Sequence, residues 1–513
     1  MAGGAVVISA GGGYLSLMDP SRKWYKNRRL IELNGWLLLC LITSSTNGYD
    51  GSMMNGLQSM GTWQEYFQHP AGTTLGLLNA VQNMGGLIAF PIAPYLSDGL
   101  GRRLTILIGA AISTLASCLQ ASATSMYTFI GARFLVGFGV AFSANAAPML
   151  VTELAYPSQR ATLTALYNSL WYSGAVASAW ATYVTSFTTS SWSWRGPSLL
   201  QAIPSVLQLL LLWWCPESPR WLVSKGQDTT ALQVLAHYHA DGNEQNELVR
   251  FELEEIKAAI KADRMDGIFF SWTSLFSTPS NIRRLRIILA IAWFSQWSGN
   301  GIVSYYLTIV LDNIGIKSTS SKLLINGFLQ TWNLFWACLA SFLVERLGRR
   351  LLFISSAAGM TIFFSGQTIS SGLYTNSRDA AAGTGVIVFI FLFYAAYDLA
   401  FAPLIVAYTV EILPFAIRAK GLTVFNFTVS LASALNQYIN PVALKALAWK
   451  YYIFYCIWLI FELGYVYMFV VETKGLSLEE TAALFDEVEV TPQLCLPLAK
   501  HTTHDPNGHE SVD

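Results

Sequence analysis

The chain alternates between long apolar stretches and short polar connections along most of its length. A helix that crosses a lipid bilayer needs about 20 mostly apolar residues. A longer polar stretch, roughly 216–283, divides the pattern into two equal sets of such segments. The expected fold is an all-α membrane protein with twelve transmembrane helices, at roughly 32–54, 73–96, 104–122, 126–149, 162–186, 196–215, 285–311, 322–344, 351–371, 385–410, 419–440 and 450–471.

Two polar motifs recur at about half the length of the chain. The loop 98–103 reads Asp-Gly-Leu-Gly-Arg-Arg, and the loop 345–350 reads Glu-Arg-Leu-Gly-Arg-Arg, 247 residues later. An acid followed by an arginine seven positions on occurs at 153 and 160 and again at 411 and 418. Repeats at nearly the same offset are typical of membrane proteins built from two pseudo-symmetric halves.

The repeat and the polar stretch together predict the organisation of the chain. Two six-helix halves are expected at 31–215 and 284–475. The stretch 216–283 carries charges of both signs at helical spacing, so it is predicted to be a linker with surface helices. A segment 1–30 and a tail 476–513 complete the chain, and a single chain is expected to form the functional unit.

Composition and charge agree with this class and add an orientation. The chain is 53% hydrophobic and 12% charged, whereas soluble domains carry about a quarter charged residues. A net charge of zero excludes the basic surplus that nucleic-acid binding needs. When the loops are assigned alternately, 24 of the 31 lysines and arginines fall on the side of the amino terminus. The positive-inside rule then places both termini, the linker and both Gly-Arg-Arg loops in the cytoplasm.

Polar residues inside the apolar segments are the candidates for function, because they are costly in a bilayer. Single charged residues occur at Asp50, Arg133, Asp398 and Glu462. Amides and hydroxyls recur at helical spacing on three segments of the second half: Gln296, Asn300 and Ser304; Asn326, Gln330 and Asn333; Asn426, Ser430, Ser433, Gln437 and Asn440. Four tryptophans, Trp293, Trp297, Trp332 and Trp336, lie on the first two of these segments. Hydrogen bonds between helices explain any one of them. Three stripes with indoles nearby favour a neutral, polyhydroxylated ligand.

Several chemistries lack their motifs in this sequence. There is no Gly-Lys-Ser/Thr phosphate loop, which argues against an ATP-driven pump. None of the six histidines or six cysteines has the spacing of metal ligands, and no nucleophile–base set is visible. We therefore expect neither an enzyme nor a bound metal or cofactor.

The ordered motifs resemble the sugar porters of the major facilitator superfamily, over about residues 30–480. They are Gly48-Tyr49-Asp50-Gly51, 98–103, Gly131-Ala132-Arg133-Phe134, Glu153 with Arg160, Pro216 to Leu222, Gln296-Trp297-Ser298-Gly299 with Tyr305-Tyr306, 345–350, Glu411 with Arg418, and Val471 to Gly475. The details resemble the fungal branch that includes lactose permeases and hexose transporters. The resemblance implies six plus six helices, a central sugar site and alternating access.

The resemblance also implies roles for individual residues. Asp50 and Arg133 match the aspartate and arginine of proton-coupled members. A structural Asp–Arg pair in a proton-independent facilitator is the alternative. The expected sugar site comprises Asn168, Gln296, Asn300, Asn333, Asp398, Trp297, Tyr305 and Asn426. The expected cytoplasmic gate comprises Asp98, Arg102, Arg103, Glu153, Arg160, Glu345, Arg349, Arg350, Glu411 and Arg418, paired within each half when the cavity faces outward. Positive-inside topology alone also explains these arginines.

The chain departs from the family pattern at several positions, some of them in the expected pocket. The residues that stand in place of the usual ones are Asn168, Ser295, Gly301, Val406, Val429 and Val471. Several of these changes remove bulk or a hydrogen-bond donor, which favours a larger sugar such as a disaccharide. The leading prediction is a plasma-membrane sugar:proton symporter for a disaccharide such as lactose or for a hexose. A facilitator, a sugar sensor that does not transport, and a drug antiporter are the alternatives.

Overall fold

The computed structural model describes residues 24–265, 272–413, 415–474 and 485. Helices make up most of this part of the chain, and each of the twelve predicted segments overlaps one helix or two consecutive helices. The first half contains α1 (Arg28–Ser59), α2 (Gly61–Tyr66), α3 (Thr73–Ala89), α4 (Ala93–Leu100), α5 (Arg102–Ala121), α6 (Met126–Leu154), α7 (Arg160–Ser169), α8 (Trp171–Thr185), α9 (Trp192–Leu200) and α10 (Ala202–Leu211).

The linker and the second half follow the same scheme. Three linker helices, α11 (Pro219–Ser224), α12 (Asp228–His239) and α13 (Glu247–Met265), lie where surface helices were predicted. The second half contains α14 (Pro279–Trp297), α15 (Asn300–Asn313), α16 (Thr319–Leu347), α17 (Arg349–Ser377), α18 (Ala380–Asp398), α19 (Leu404–Ile412), α20 (Phe415–Leu447) and α21 (Tyr451–Phe469). The predicted boundary at 284 falls inside α14, which begins five residues earlier.

Length and hydropathy support a membrane protein. Seven helical stretches of the described chain are long and apolar enough to cross a bilayer, and an eighth is the bent pair of α3 and α4. One of the seven, Lys420–Phe469, contains two predicted segments. The first, fifth and seventh predicted segments are more polar or broken and fall outside this set. The count of twelve crossings therefore stays a prediction.

Several spans are broken, and each break has a local cause. α14 ends at Trp297, and Gly299 then adopts a left-handed φ of 93° before α15 begins. A β-carbon at that position would also lie 2.6 Å from the ring of Phe364, so only glycine fits both constraints. The break between α18 and α19 ends at Pro403, which has no backbone N–H for a helical hydrogen bond. These breaks bend the helices that surround the centre of the molecule.

The two halves meet along α1, α3 and α8 on one side and α15, α16 and α20 on the other. We call the face that carries the two Gly-Arg-Arg loops the loop face, and the other end of the bundle the opposite face. Toward the opposite face the halves are joined by hydrogen bonds from Asn55 to the Val303 carbonyl (3.1 Å) and between Ser59 and Thr308 (2.7 Å). Asn83 of α3 also donates to Gln437 of the second half (2.9 Å). The halves are thus in close contact on the side away from the loops.

The linker helices pack against the loop face of the first half. Trp221 donates from its indole N–H to the Asp98 carbonyl (3.0 Å), and Asn27 donates to Asp241 (2.9 Å). At the centre of the contact, His239 lies 2.6 Å from Glu252 and 3.2 Å from the Leu154 carbonyl, and all but 2% of its surface is buried. The linker is therefore fixed to one half by buried polar contacts as well as by its own apolar core.

Candidate functional site

A cavity of about 350 Å³ lies between the two halves. Its wall continues toward the loop face through residues such as Phe90, Ala402 and Val406. Residues from both halves line it, so the site requires the complete bundle. The lining includes seven of the residues predicted for substrate binding or coupling: Arg133, Asn168, Gln296, Asn300, Tyr305, Asn333 and Asn426. Asp50, Trp297 and Asp398 are not part of the lining.

The amide stripes of the second half face this cavity with unused hydrogen-bonding capacity. Asn300 donates from its amide to the Ser295 carbonyl (3.0 Å), while its Oδ1 is buried and makes no hydrogen bond within the described residues. The same holds for Oδ1 of Asn333. Buried acceptors without a donor cost about 1–3 kcal/mol each. A ligand with hydroxyl donors would satisfy them, which is the chemistry of a polyhydroxylated solute.

Two tyrosines of α18 hold the break in the seventh segment. The Tyr394 hydroxyl donates to the Asn300 carbonyl (2.8 Å) and lies 2.6 Å from the Ser304 hydroxyl. The Tyr397 hydroxyl donates to the Ser295 carbonyl (2.7 Å) on the other side of the break. Both rings also line the cavity. α18 therefore fixes the position of the backbone that carries Gln296 and Asn300.

Trp297 has a different environment from the one expected for a sugar-stacking residue. Its indole N–H donates to the Ala432 carbonyl of α20 (2.9 Å), and its ring stacks on Trp293 with centroids 5.7 Å apart. An indole N–H in a buried position usually takes a backbone acceptor. The structure thus places Trp297 between helices of the second half, and a role in sugar stacking has no support from its position.

The pocket departures divide into two kinds. Val406 and Val429 line the cavity, where their small side chains leave space. Gly301 does not, because a β-carbon there would overlap Oδ1 of Asn436. Asn436 in turn donates to the Tyr455 hydroxyl (3.1 Å) and accepts from Asn440 (2.7 Å) in a buried polar network. The amide expected at 301 is thus replaced by one on α20, and this change adds no room to the cavity.

Asp50 and Arg133 are both buried, but no ion pair within 4 Å joins them. Arg133 donates to the Leu78 carbonyl and to the Gln82 side chain, both at 2.8 Å. Neither carboxylate oxygen of Asp50 makes a hydrogen bond within the described chain, although Arg133 and Gln201 lie near enough to interact with it electrostatically. A buried carboxylate without a partner carries a large desolvation cost, which a bound proton removes. This arrangement suits a carboxyl group that gains and loses a proton.

Asp398 has an unexpected partner. It is fully buried, and its Oδ1 accepts a hydrogen bond of 2.6 Å from the Tyr172 hydroxyl of the first half. Asn168, four residues before Tyr172, lines the cavity, as does Tyr172 itself. The acid predicted to bind substrate therefore lies behind the cavity wall in this structure, bonded to the other half.

The two Gly-Arg-Arg loops are built alike. In the first half, Arg102 lies 3.2 Å from Glu153 and 3.1 Å from Asp98, and Glu153 also accepts from the Ser218 hydroxyl. In the second half, Arg349 lies 2.8 Å from Glu411, which accepts from the Thr473 hydroxyl (2.5 Å). These ion pairs join helices within one half. They are present while the cavity extends toward the loop face, so they do not require an outward-facing cavity.

Other predicted gate residues have partners that differ from those expected. Arg103 donates to the carbonyls of Trp213 (3.2 Å) and Cys215 (2.8 Å), and Arg350 donates to that of Tyr467 (3.0 Å). Arg160 lies 3.7 Å from Glu252 of the linker. The second arginine of each loop thus binds the end of the sixth span of its half. The side chains of Glu345 and Arg418 lie outside the described residues.

A second acid at each loop was not predicted as part of the gate. Glu217 accepts from the backbone N–H of Arg102 (3.1 Å) and Arg103 (3.1 Å), and Glu472 accepts from those of Arg349 (2.9 Å) and Arg350 (3.1 Å). Each acid is followed by the hydroxyl residue that binds the first acid. The repeat of Glu-Ser at 217 and Glu-Thr at 472 was the available signal, at an offset of 255 residues.

The two acids differ in the direction of their pKa shifts. Burial raises the pKa of the Glu217 carboxyl above its ordinary value of 4.5, although the N–H groups of Ser218, Arg103 and Arg102 act against it. Burial also acts to raise the pKa of Glu472, but hydrogen bonds from four backbone N–H groups outweigh it, and the pKa lies below 4.5. Equivalent positions in the two halves thus have different electrostatic environments.

Comparison with known proteins places this architecture in a family. The model of the family described as "Sugar (and other) transporter" matches residues 36–485. MFS-type transporter oryC of Aspergillus oryzae is 28% identical over 466 residues, which are 87% of this chain and 85% of that protein. The high-affinity glucose transporter of Kluyveromyces lactis is 26% identical over 459 residues, with 84% and 81% covered.

A solved structure shares the fold. The inward-open xylose transporter XylE from E. coli superimposes with a TM-score of 0.71 over 88% of this chain and 99% of that one, at 24% identity. The family match spans most of the chain and contains transporters rather than enzymes. The protein therefore belongs to the sugar (and other) transporter family and has the fold of the major facilitator superfamily.

Proposed function

We propose that the protein carries a sugar across the plasma membrane together with a proton, by alternating access of the cavity between the two halves. One chain forms the whole cavity, so the monomer is the transport unit. The two termini and the linker lie in the cytoplasm in this proposal, on the basis of the 24 lysines and arginines on that side. The cavity would then open to the cytoplasm in the state described here.

The observation that carries the sugar assignment is the wall of amides with unused acceptors. Asn300 and Asn333 each present a buried Oδ1 without a donor, beside Gln296 and Asn168 in the lining. Such groups reject a ligand that cannot hydrogen-bond and favour one with several hydroxyl groups. A relative with 26% identity is named as a glucose transporter, which agrees with this ligand class.

A disaccharide is the finer proposal, and it rests on Val406 and Val429. Both small side chains line a cavity of about 350 Å³. We expect lactose, cellobiose or maltose to outcompete glucose in uptake experiments with transport-deficient cells. Val406→Trp should make glucose the preferred sugar, because the larger side chain fills the space in the cavity beside position 406. Gly301 is the contrast among the departures, because it adds no space to the cavity. Preference for glucose by the unaltered protein would contradict the disaccharide proposal and leave hexose transport in place.

Proton coupling rests on the unpartnered carboxyl of Asp50. A proton that moves down about 100 mV contributes about 2.3 kcal/mol, and one pH unit adds about 1.4 kcal/mol. This free energy sustains accumulation of a sugar by several hundredfold. Asp50→Asn should abolish accumulation against a gradient, because the amide binds no proton, but should leave exchange of labelled sugar between the two sides.

The matched control for Asp50→Asn is Asp312→Asn. Asp312 is half exposed and lies 2.6 Å from Lys322, away from the cavity lining, so accumulation should be retained. A protonophore should reduce accumulation by the unaltered protein to the level of Asp50→Asn. Accumulation that survives both the substitution and the protonophore would contradict coupling and identify a facilitator driven by the sugar gradient alone.

A further inference from the structure

The hydrogen bond between Tyr172 and Asp398 crosses from one half of the protein to the other. The donor is the Tyr172 hydroxyl on α8, the acceptor is Oδ1 of Asp398 at the end of α18, and the distance is 2.6 Å. Tyr172 is 6% exposed and Asp398 is fully buried. The other oxygen of Asp398 makes no hydrogen bond within the described residues. A short, buried bond of this kind is shielded from competing water.

On the side of the first half, Tyr172 is rigidly connected to the helix that carries Asp50. The chain around Tyr172 packs closely on α1, because a β-carbon on Gly48 would overlap the Trp171 carbonyl and one on Gly174 would overlap the Ser45 carbonyl. Ser45 also donates to the Leu170 carbonyl (3.1 Å). Backbone contacts this close allow little sliding, so α1 and α8 move together.

On the side of the second half, Asp398 is connected to the cavity backbone. It directly follows Tyr397, whose hydroxyl binds the Ser295 carbonyl, and Tyr394 on the same helix binds the Asn300 carbonyl. Gln296 and Asn300 of the cavity wall lie on the two sides of the break that these tyrosines hold. A displacement of the end of α18 is therefore transmitted to the amides that face the ligand.

We infer that the Tyr172–Asp398 bond is the contact through which the helix of Asp50 and the broken helix of the cavity bias each other, and that Asp398 is a positioning residue rather than a sugar ligand. The inference rests on the alternating access in the proposed function. Rotation of the halves, which opens the opposite face, separates α8 from the end of α18 and breaks the bond. The bond therefore stabilises the state in which the cavity extends toward the loop face.

The test measures the population of the state that is open at the opposite face. Thr308 is 7% exposed and bonded to Ser59 across the halves, so Thr308→Cys provides a thiol that reacts only when this contact opens. The rate of maleimide labelling at position 308 is measured on the purified full chain by peptide mass spectrometry. Tyr172→Phe removes only the hydroxyl and should raise the labelling rate about tenfold, within the range expected for one buried hydrogen bond.

Two further variants separate this role from a loss of packing. Asp398→Asn retains an acceptor oxygen, so the labelling rate should rise less, by about threefold. The double variant Tyr172→Phe/Asp398→Asn should label at the rate of Tyr172→Phe alone, because a bond that is already absent cannot be lost again. Tyr408→Phe is the matched control, since this buried tyrosine on α19 donates within the second half, to the Val471 carbonyl (3.0 Å), and its rate should equal the parent rate.

Two results would overturn the inference: an unchanged rate in Tyr172→Phe, or independent, multiplicative increases in the double variant. If Tyr172→Phe does not fold, the Asp398→Asn rate alone decides, and an unchanged rate contradicts the inference. The labelling needs no substrate. A protein that transports none of the sugars in a panel would contradict the proposed function while the labelling experiment still gives its own result.

Discussion

The loops at Gly101 and Gly348 use the same parts in different surroundings. Each has a glycine with a positive φ, 102° and 89°, followed by an arginine that pairs with an acid at the end of the fourth span of its half. The Arg102 side chain is 8% exposed and that of Arg349 is 18% exposed. Linker helices cover the first loop, whereas the second lies against the chain at 472–474. A repeated motif thus repeats the geometry and not the electrostatic environment.

This difference has an energetic meaning. Breaking a buried ion pair leaves an uncompensated charge in a poorly solvated place, and the cost falls as exposure increases. The linker therefore makes the first loop the more costly one to disrupt. The second loop depends more on the backbone hydrogen bonds that the half-buried Glu472 accepts. The following substitutions compare the two loops, one pair at a time.

The largest difference is expected between Arg102→Ala and Arg349→Ala. Loss of Arg102 leaves Glu153, 12% exposed, without its cation and should reduce the free energy of unfolding by about 3 kcal/mol. Glu411 is 23% exposed and can be solvated, so Arg349→Ala should reduce it by about half as much. Melting of the purified proteins in one detergent measures both. Equal losses would show that the linker does not change the energetics of the first loop.

A smaller effect, equal in the two loops, is expected for Gly101→Ala and Gly348→Ala. Both glycines combine a positive φ with an extended ψ near 162°, a region that is essentially restricted to glycine. A β-carbon would lie 2.5 Å from Glu217 in the first loop and 2.7 Å from Glu472 in the second. Each substitution should cost about 2 kcal/mol. Gly99→Ala is the control in the same loop, because nothing lies within 4 Å of a β-carbon there.

The smallest effects, opposite in their pH dependence, are expected for Glu217→Gln and Glu472→Gln. The pKa of Glu472 is lowered, so its carboxylate stabilises the fold above pH 4.5, and this contribution is lost as pH falls through the lowered pKa. The pKa of Glu217 is raised, so its contribution is complete below pH 4.5 and is lost as pH rises through the raised pKa.

Melting curves between about pH 3 and 8 distinguish the two acids, because the change expected for Glu472→Gln lies below pH 4.5. At pH 7 and above Glu472→Gln should destabilise the protein, whereas Glu217→Gln should be close to neutral, because removing its charge also removes a burial cost. The difference between Glu472→Gln and the parent should shrink as the solution becomes more acidic. A loss for Glu217→Gln that grows with pH would show that its hydrogen bonds outweigh burial and that the two loops are electrostatically alike.

The sequence predicted the helices well and their breaks poorly. Each apolar segment overlaps helices, because burial in lipid demands about 20 apolar residues whatever the neighbours are. The breaks at Leu170 and at 399–403 were missed. A helix interrupted for a few residues keeps its apolar composition, so hydropathy does not register the interruption. The start of α14, at Pro279, was missed for a different reason, because its first residues are polar and a search for apolar segments does not extend to them.

For the candidate site, residue types were more predictable than partners. Amides at helical spacing indicated the face of α14 to α16 that lines the cavity, since spacing fixes which side chains share a face. The Tyr172–Asp398 bond joins residues 226 positions apart, and the Arg160–Glu252 contact joins a span to the linker. Such pairs depend on how helices rotate and bend against each other, and spacing along one chain contains no information on that.

The Asn436 side chain at Gly301 has a consequence for how such transporters diverge. Gly301→Asn alone would overlap Asn436, and Asn436→Gly alone would leave the Tyr455 hydroxyl without one of its partners. Each single change is therefore harmful, while the two together exchange one amide for another across the helix contact. A chain with only one of the two changes is therefore expected to be less stable than a chain with both or with neither. The order of mutations, and not only their number, decides whether the exchange can occur.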